Sequence, residues 1–388
     1  MQTKLLTLPW VSASLVTTAT DQNGVVPMRD CPCKGTLSPV LSGSKSHTFV
    51  SDRNVGAHMV TIALTGDLML GRLVDEWVIR DDSVPTTAIW GDVLPDLLEA
   101  DVRIGNLECV ISEGGSPWRP DSKAFHFRAA PRAIEFLRAA NMSCVTLANN
   151  HVLDYGAEAL RECLTHLDLA AIAHTGAGHD LRQAMEPALL SRSGLSIAVI
   201  GVTDNEPEWE AGETASGVNF VSYRTRGLIE PYRSRLIRTL HKARERAQFV
   251  IVGAHVGPNW GAPSPSMQAL AHDLIDLGAD LYWGHSNHTP QGIELYRGKA
   301  ILYSAGDFID DYAVEPSQRN DLSFLFLVEI DAAKVSRIRL IPVSIEHCTV
   351  RKARPSEEAW LWWSMTSKCR LFETHVSFSG GEGRVEIA

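Results

Sequence analysis

The sequence predicts an α/β fold built from layers of helices and strands. From about residue 59 onwards, short apolar runs alternate with amphipathic segments of helical length. This alternation is typical of strands whose faces are covered by helices. The composition agrees, because 45% hydrophobic and 21% charged residues in a chain of 388 are the proportions of a globular protein with a sizeable core.

The elements can be predicted in chain order. Strands are expected where apolar runs end close to Gly, Asn, Asp or His, in "MVTIALTGD", "VRIGNLE", "SCVTLANNH", "LSIAVIGVTD", "FVIVGAHVG", "DLYWGHS" and "KAILYSAGDF". Helices are expected where apolar residues recur every three or four positions, in "AIWGDVLPDLLEA", "PRAIEFLRAANM", "GAEALRECLTHL", "LIEPYRSRLIRTLHKARERA" and "SMQALAHDLIDLG". The stretches "FLFLVEI" and "IRLIPVSI" then predict hairpin-like β structure.

The pattern divides the chain into three segments. Residues 1–57 are rich in Ser, Thr, Gly and Pro without sustained periodicity, so we expect a loose or peripheral N-terminal segment. Residues 58–346 hold the alternating pattern and should form the main domain. Residues 347–388 should be a C-terminal extension packed on it, with the run "WLWW" against the sheet. The sequence has no stretch of about 20 apolar residues, so no transmembrane helix is predicted.

Charge and cysteine content limit the partners and the compartment. A formal net charge of −10 without a long run of Lys or Arg argues against a nucleic acid or a membrane surface as partner. A small molecule, a peptide or a protein is expected instead, and the oligomeric state stays open. The seven cysteines are scattered and odd in number, so we expect reduced thiols in a cytoplasmic protein rather than a disulfide framework.

Polar residues follow nearly every predicted strand at the point where it ends. Because the carboxyl ends of strands share one edge in open α/β sheets, the loops that carry these residues should converge on one crevice. They deliver carboxylates, imidazoles and amides, a mixture of oxygen and nitrogen donors that predicts a metal site. The residues are Asp67, Glu108, Asn149, Asn150, His151, His255, His285 and His288.

Each of these residues has a simpler explanation when it is considered alone. A single His at a strand end is more often a hydrogen-bonded turn residue than a ligand, and Asn or Asp there more often caps the next helix. Five strand ends of the same kind weaken that explanation. The most specific stretch is "GHSNH", because His285 and His288 lie three positions apart in a loop led by Gly and can face one ion.

Together these stretches resemble the calcineurin-like metallophosphoesterases, and more closely their CapA branch, named for the synthesis of poly-γ-glutamate capsules. The resemblance covers about residues 59–346 and is carried by "GDLMLGR" (66–72), "GNLE" (105–108), "NNHVLDYG" (149–156), "HVGPNW" (255–260), "GHSNHTPQ" (284–291) and "YSAGDFIDD" (303–311). It implies a four-layer α/β sandwich with a divalent metal at the strand ends. It also implies that His151 acts as an acid or base. The metal ligands that it implies are Asp67, Glu108, Asn150, His255, His285 and His288.

The chain departs from the family pattern in ways that bear on the metal. Met69 stands where phosphoesterases of this fold usually supply a histidine, Asn106 where they supply an aspartate, and Asp307 where the branch usually has asparagine. Losing two ligands favours one ion over two, because two-metal hydrolysis needs both ions beside a bridging hydroxide. An oxygen-rich site favours Ca²⁺, Mn²⁺ or Mg²⁺, while the histidines also suit Zn²⁺.

His151 and Asp154 predict a proton-transfer pair. They lie three positions apart, so in a helical turn the carboxylate can fix the imidazole tautomer and raise its basicity. His255, with Asp67 or Asp307 as its carboxylate partner, is a candidate for a second proton carrier. A metal between two proton carriers would suit removing a Cα proton from one face and returning it to the other.

This chemistry leads to a first hypothesis, a metal-dependent epimerase that inverts a Cα of a peptide substrate. The CapA branch includes an enzyme that epimerises the C-terminal tryptophan of a lasso-peptide precursor. Arg72 would bind the C-terminal carboxylate, and Trp260 would line an aromatic pocket. An ordinary ion pair and core packing are the respective alternatives. Asn149 would contact the substrate or only shape the turn.

Two further hypotheses stay open. One is a metal-dependent hydrolase of phosphoesters or amide bonds, including those of poly-γ-glutamate, which would need only one base and rests on resemblance of fold. The other is a non-catalytic binding or scaffold protein of polymer synthesis.

Overall fold

The computed structural model describes residues 59–119, 121 and 123–387. The expectation for residues 1–57 therefore lies outside the described residues. Within the described part, no helix combines the length and the apolar character that crossing a membrane requires.

The described chain alternates strands and helices. Its strands are β1 (Val60–Leu68), β2 (Val102–Leu107), β3 (Val110–Ile111), β4 (Arg128–Ala129), β5 (Cys144–Thr146), β6 (Ala173–Thr175), β7 (Ala177–Gly178), β8 (Ala188–Arg192), β9 (Leu195–Thr203), β10 (Gly217–Val218), β11 (Tyr223–Arg224), β12 (Gly227–Leu228), β13 (Phe249–His255), β14 (Leu281–His285), β15 (Ile293–Tyr296), β16 (Lys299–Leu302), β17 (Asp307–Ile309), β18 (Leu322–Asp331), β19 (Lys334–Glu346), β20 (Thr349–Lys352), β21 (Ser377–Ser379) and β22 (Glu382–Glu386). Its α-helices are α1 (Arg72–Val74), α2 (Leu94–Glu99), α3 (Ala133–Ala139), α4 (Gly156–Leu169), α5 (Leu181–Ala184), α6 (Tyr232–Arg246), α7 (Pro265–Asp276) and α8 (Pro355–Arg370).

Two large sheets organise the fold. The larger has the strand order β21-β22-β19-β18-β1-β2-β5-β6, with β17 beside β1 and β20 beside β19. The smaller has the order β15-β16-β14-β13-β9-β8. Strands β1, β2, β5 and β6 run parallel to one another, and so do β9, β13, β14 and β16. Each sheet therefore gathers the carboxyl ends of several strands at one edge.

The two sheets share a hydrophobic core. Ile62 and Leu64 of β1 pack in the same cluster as Ile197 of β9 and Ile251 of β13, all fully buried. The intervening residues point the other way, because side chains alternate along a strand. Thus Ala63 of β1 joins a second cluster with α3 and α4, and Ala198 of β9 a third with α6 and α7. The mixed α/β fold is confirmed.

The stretch "KAILYSAGDF" forms two strands rather than one. Its first part is β16 in the smaller sheet, and its last part is β17, which pairs with β1 in the larger sheet. Gly306 between them has a φ of 70°, a left-handed conformation that glycine adopts without strain. The chain therefore crosses between the sheets at this point and brings Asp307 to the end of β1.

The C-terminal segment extends the larger sheet. Strands β20 and β22 both pair with β19, and β21 pairs with β22. Helix α8 carries the tryptophan-rich run. Trp362 stacks on Phe324 of β18 with the ring centroids 5.5 Å apart, whereas Trp363 is exposed.

Candidate metal centre

The site forms where strands of both sheets end. Asp67 is the register partner of Asn106 on β2 and of Asp307 on β17, which places these three residues side by side. In the smaller sheet, His255 at the end of β13 is the register partner of His285 at the end of β14. Register alone therefore sets two carboxylates and two imidazoles in neighbouring positions, and all four are buried.

Two groups of donor atoms could each hold a cation, and they share Asp67. Asp67, His255 and His285 form the first group, and Asp67, His288 and Asp307 form the second. Within each group the donor atoms lie within 4.8 Å of one another. Asp67 Oδ1 is 3.8 Å from Nδ1 of both His255 and His285.

The donor set fits a divalent cation. The Nδ1 atoms of His255 and His285 lie 3.0 Å apart, and His288 Nδ1 lies 2.8 Å from Asp307 Oδ1. Among the described residues, His285 Nε2 and Asp307 Oδ2 are buried without a hydrogen-bond partner. Unpaired buried polar atoms are costly, so a natural site usually has a use for them. Imidazole nitrogens with carboxylate oxygens are ligands of Zn²⁺ and Mn²⁺.

Asn150 and Glu108 approach the same cluster from the other side of His255. His255 Nε2 lies 2.8 Å from Asn150 Oδ1 and 3.8 Å from Glu108 Oε1. Glu108 Oε2 also accepts a hydrogen bond from the Tyr312 hydroxyl at 3.3 Å. The structure thus brings all six predicted ligands together, but Asn150 and Glu108 face the Nε2 edge of His255 and Asp67 faces its Nδ1 edge.

Burial controls the charge of these groups. It raises the pKa of Asp67 to about 6, and it raises the pKa of Glu108 and of Asp307 well above the usual range. It lowers the pKa of His255 well below its usual value and that of His285 to about 3. The raised pKa values of the carboxyl groups and the lowered pKa values of the imidazoles both favour neutral side chains in the metal-free site. A bound dication would favour the ionised carboxylates.

His151 and Asp154 form the predicted pair beside this cluster. His151 Nδ1 lies 2.6 Å from Asp154 Oδ2, so an ionised Asp154 keeps the proton on Nδ1 and leaves Nε2 free to exchange one. Nε2 lies 4.0 Å from Glu108 Oε1. The ring stacks on Phe127 at 3.8 Å between centroids. Burial lowers the pKa of His151, and the nearby Asp154 opposes this effect.

Lys123 holds Asp154 from the opposite side and was missed in the sequence. Its Nζ lies 2.9 Å from Asp154 Oδ1 and 3.1 Å from Glu206 Oε1, and it donates to the Asn150 carbonyl. The Phe127 backbone N–H donates to Asp154 Oδ2 at 2.6 Å. Lys123 lies in a loop without periodicity, so nothing in the local sequence marks it.

Asn149 has a structural task in the turn. Its Oδ1 accepts hydrogen bonds from the backbone of His151 and Val152, while its Nδ2 donates to the Leu107 carbonyl at 2.8 Å and to Asn106 Oδ1 at 3.2 Å. The residue is fully buried. These bonds fix His151 in place, and a contact of Asn149 with substrate stays a prediction.

The other two predicted substrate residues lie at the surface. Arg72 Nε is 3.3 Å from Asp311 Oδ2, and the guanidinium lies over the rings of Phe125 and Phe127 at 5.4 and 5.8 Å. The ion-pair alternative thus describes Arg72 in the substrate-free chain. Trp260 is 40% exposed with its ring 5.6 Å from that of His288, so core packing does not describe it.

Comparison with known proteins assigns the chain to one family. Residues 61–312 match the family described as bacterial capsule synthesis protein PGA_cap. The chain belongs to this family. A probable polyglutamine synthesis accessory protein of Mycobacterium tuberculosis (strain CDC 1551 / Oshkosh) is 32% identical in an alignment 360 residues long that covers 82% of this chain and 93% of the relative.

Two further PGA_cap relatives carry the CapA name. The capsule biosynthesis protein CapA of Bacillus anthracis is 29% identical over 258 residues, 65% of this chain and 60% of the relative. The PGA biosynthesis protein CapA of Bacillus subtilis (strain 168) is 26% identical over 294 residues, 75% of this chain and 73% of the relative. The CapA resemblance is confirmed, and none of these proteins supports kinship with a lasso-peptide epimerase.

Proposed function

We propose that this PGA_cap member is a metal-dependent hydrolase that cleaves an amide bond in a glutamyl polymer or peptide. The observation that carries the proposal is the buried group of Asp67, His255 and His285 with the pair of His151 and Asp154 beside it. The substrate class is supported by relatives named for PGA biosynthesis and for polyglutamine synthesis.

A divalent cation would be held by Asp67, His255 and His285. If a second cation is bound, His288 and Asp307 would hold it and would share Asp67 with the first. When bound, the cation supplies Lewis-acid polarisation of a carbonyl oxygen. Two imidazoles and one carboxylate suit Zn²⁺ or Mn²⁺ better than Ca²⁺ or Mg²⁺. The shared position of Asp67 is compatible with two ions as well as with the expected one.

His151 would transfer the proton that the leaving amine needs. Asp154 keeps the Nδ1 proton in place, so only Nε2 takes part in exchange. Lys123 holds the Asp154 carboxylate, and the stack on Phe127 fixes the plane of the imidazole. Proton transfer by a positioned side chain contributes typically about 10²- to 10⁴-fold to rate.

The epimerase hypothesis needs a second proton carrier. His255, the candidate for this role, is held by other contacts. His255 contacts His285 through Nδ1 and Asn150 through Nε2, so both ring nitrogens face other members of the cluster. Of the four histidines in the site, His151 is the one that lies outside both donor groups, and this arrangement suits hydrolysis better than inversion of a Cα. The family and its relatives favour the hydrolase hypothesis for the same chain.

The four-layer sandwich implied by the resemblance is part of the proposal. It is supported by one core between the sheets and by helices packed on the other face of each sheet. Arg72 and Trp260 are proposed to contact the substrate at the entrance of the site.

The experiment is incubation of the metal-loaded chain with poly-γ-glutamate, with release of free amines as the measurement. The wild-type chain should release amines, and His151→Gln should lower the rate at least about 100-fold. The matched control is His166→Gln, a surface histidine whose ring lies 3.3 Å from Glu162 and outside the site. Equal amine release by His151→Gln and wild type would contradict the role of His151, and no release by the metal-loaded wild type would contradict the hydrolase proposal and favour the scaffold hypothesis.

Two further outcomes separate the competing reactions. Release of phosphate from phosphoesters without amine release would assign the chain to phosphoester hydrolysis. Gain of one deuterium at a Cα in deuterium oxide, without cleavage, would restore the epimerase hypothesis.

A further inference from the structure

A small cavity behind the metal-site loops contains a lysine without a carboxylate partner. The cavity has a volume of about 190 Å³ and is lined in part by Gly261, Gln291, Gln318, Lys368 and Phe372. Among the described residues, Lys368 forms no ion pair, and the hydrogen bond found for its Nζ goes to the Pro290 carbonyl at 2.5 Å. An ammonium group offers three donors, so this one retains hydrogen-bonding capacity.

The position of Lys368 is unusual for a surface charge. Lys368 is half-buried, and this burial lowers its pKa to about 8. Buried charges are normally paired, because an unpaired one loses its hydration without compensation. The side chain comes from the last turn of α8, where the helix dipole offsets part of this cost. An anionic ligand would offset the rest.

The loops that line part of the cavity also carry residues of the metal site. Asn287 Nδ2 donates to the Gly261 carbonyl at 2.8 Å, and the His288 N–H donates to the Asn259 carbonyl at 3.0 Å. These bonds tie together the two loops that carry Trp260 and His288. The same loops supply Gly261 and Gln291 to the cavity. A ligand that reaches from the metal site into the cavity would therefore lie along these two loops.

We infer that this cavity binds a carboxylate group, with Lys368 as its cation and the Gln318 amide as a second donor. A volume of 190 Å³ is smaller than a pocket for a drug-sized ligand, and it suits one short acidic side chain. A larger cavity of about 540 Å³ shares Phe372 with it, but Glu294 and Glu373 line that cavity, so it does not favour further carboxylates. Glu294 in that larger cavity is held by His272 at 2.9 Å.

Under the proposed function, on which this assignment of substrate rests, the carboxylate belongs to a glutamyl unit near the cleaved bond. The carboxylate of a free dicarboxylic acid offers the same chemistry. Binding can be measured without turnover, so the cavity and the hydrolase proposal can fail separately.

The test is titration calorimetry of the full metal-loaded chain with glutarate, with short poly-γ-glutamate and with neutral glutaramide. Lys368→Met keeps an unbranched side chain one atom shorter and removes its charge, and it should weaken binding of both carboxylates roughly 10- to 100-fold. Lys368→Arg should retain binding within a few fold and guards against misfolding of the Met variant. The matched control is Lys334→Met, an exposed lysine at the start of β19, which should bind like wild type.

The outcomes divide as follows. Equal binding by Lys368→Met and wild type, or binding of glutaramide as tight as that of glutarate, overturns the carboxylate site. Binding of glutarate but not of poly-γ-glutamate overturns the assignment to a polymer. A chain that binds carboxylates through Lys368 but releases no amine contradicts only the hydrolase proposal, and one that cleaves with binding independent of Lys368 contradicts only this inference.

Discussion

Replacing Asp154 with asparagine tests the arrangement around His151. The carboxylate is fully buried. Its Oδ2 lies 2.6 Å from both His151 Nδ1 and the Phe127 backbone nitrogen, and its Oδ1 forms an ion pair with Lys123 Nζ at 2.9 Å. The asparagine side chain would have the same shape but no charge. Its NH₂ group would also have to face one of these donors.

The expected cost follows from these contacts. Breaking a buried charge pair costs about 3 to 5 kcal/mol, because the remaining charge stays buried. Lys123 keeps Glu206 at 3.1 Å, which recovers part of the loss. We therefore expect Asp154→Asn to lower the free energy of unfolding by about 3 kcal/mol, which corresponds to roughly 5 °C in the melting midpoint of a chain of this size. Loss of the fixed tautomer should lower the hydrolysis rate by about 10² to 10⁴.

The assay is thermal unfolding monitored by circular dichroism, with amine release measured below the transition. Asp168→Asn is the matched control. It removes the same charge from a His–Asp pair, with Asp168 Oδ1 3.1 Å from His174 Nε2, but Asp168 is 70% exposed. Exposed pairs contribute about 1 kcal/mol or less. If Asp154→Asn and Asp168→Asn shift the melting midpoint equally, the buried pair is not the stabilising element described above.

The remaining predictions concern the metal, the backbone and pH. Asp67→Asn should abolish retention of divalent metal through gel filtration, whereas Asp321→Asn, outside both donor groups, should leave it intact. Gly66→Ala should destabilise the chain severely in thermal unfolding, because the added Cβ would lie 1.9 Å from the Gly306 carbonyl oxygen. Burial lowers the pKa of Lys368 from 10.5 to about 8, so the unfolded chain holds more protons between these values and stability rises with pH there. In the wild-type chain this effect should raise the free energy of unfolding on the order of 2 to 3 kcal/mol between about pH 7.5 and 10.5, and Lys368→Met should remove the rise. Unfolding measured at both pH values checks this.

Much of the site could be predicted because strand ends are visible in sequence. Asp67, His255 and His285 each close an apolar run, and parallel pairing then sets them side by side. The sequence predicts one crevice at the edge of one sheet, and the structure differs in where the donor residues come from. The donors come from the edges of two sheets, and the crossover at Gly306 that brings Asp307 to Asp67 follows from pairing partners far away in sequence.

The rest depends on contacts that no local pattern encodes. Lys123 reaches Asp154 and Glu206 from a loop, and Glu206 lies 83 positions away in the chain. The choice of ring nitrogen at His255 depends on side-chain packing, so the sequence could not assign it as ligand or base. In the same way, the break in "AIWGDVLPDLLEA" occurs at Gly91, whose φ of 47° interrupts the 3₁₀ segment that precedes α2.

The central claim is hydrolysis of a glutamyl amide by the metal-loaded chain, and isotope incorporation tests it most directly. Poly-γ-glutamate is incubated with the chain in H₂¹⁸O, and the products are analysed by mass spectrometry. We predict that each cleavage gives one fragment with ¹⁸O in its new terminal carboxylate and one unlabelled fragment with a new amine, and that His151→Gln lowers the yield of both at least about 100-fold. An unchanged chain length with active metal loading, or shorter polymers of which none carries ¹⁸O, would contradict the proposed function.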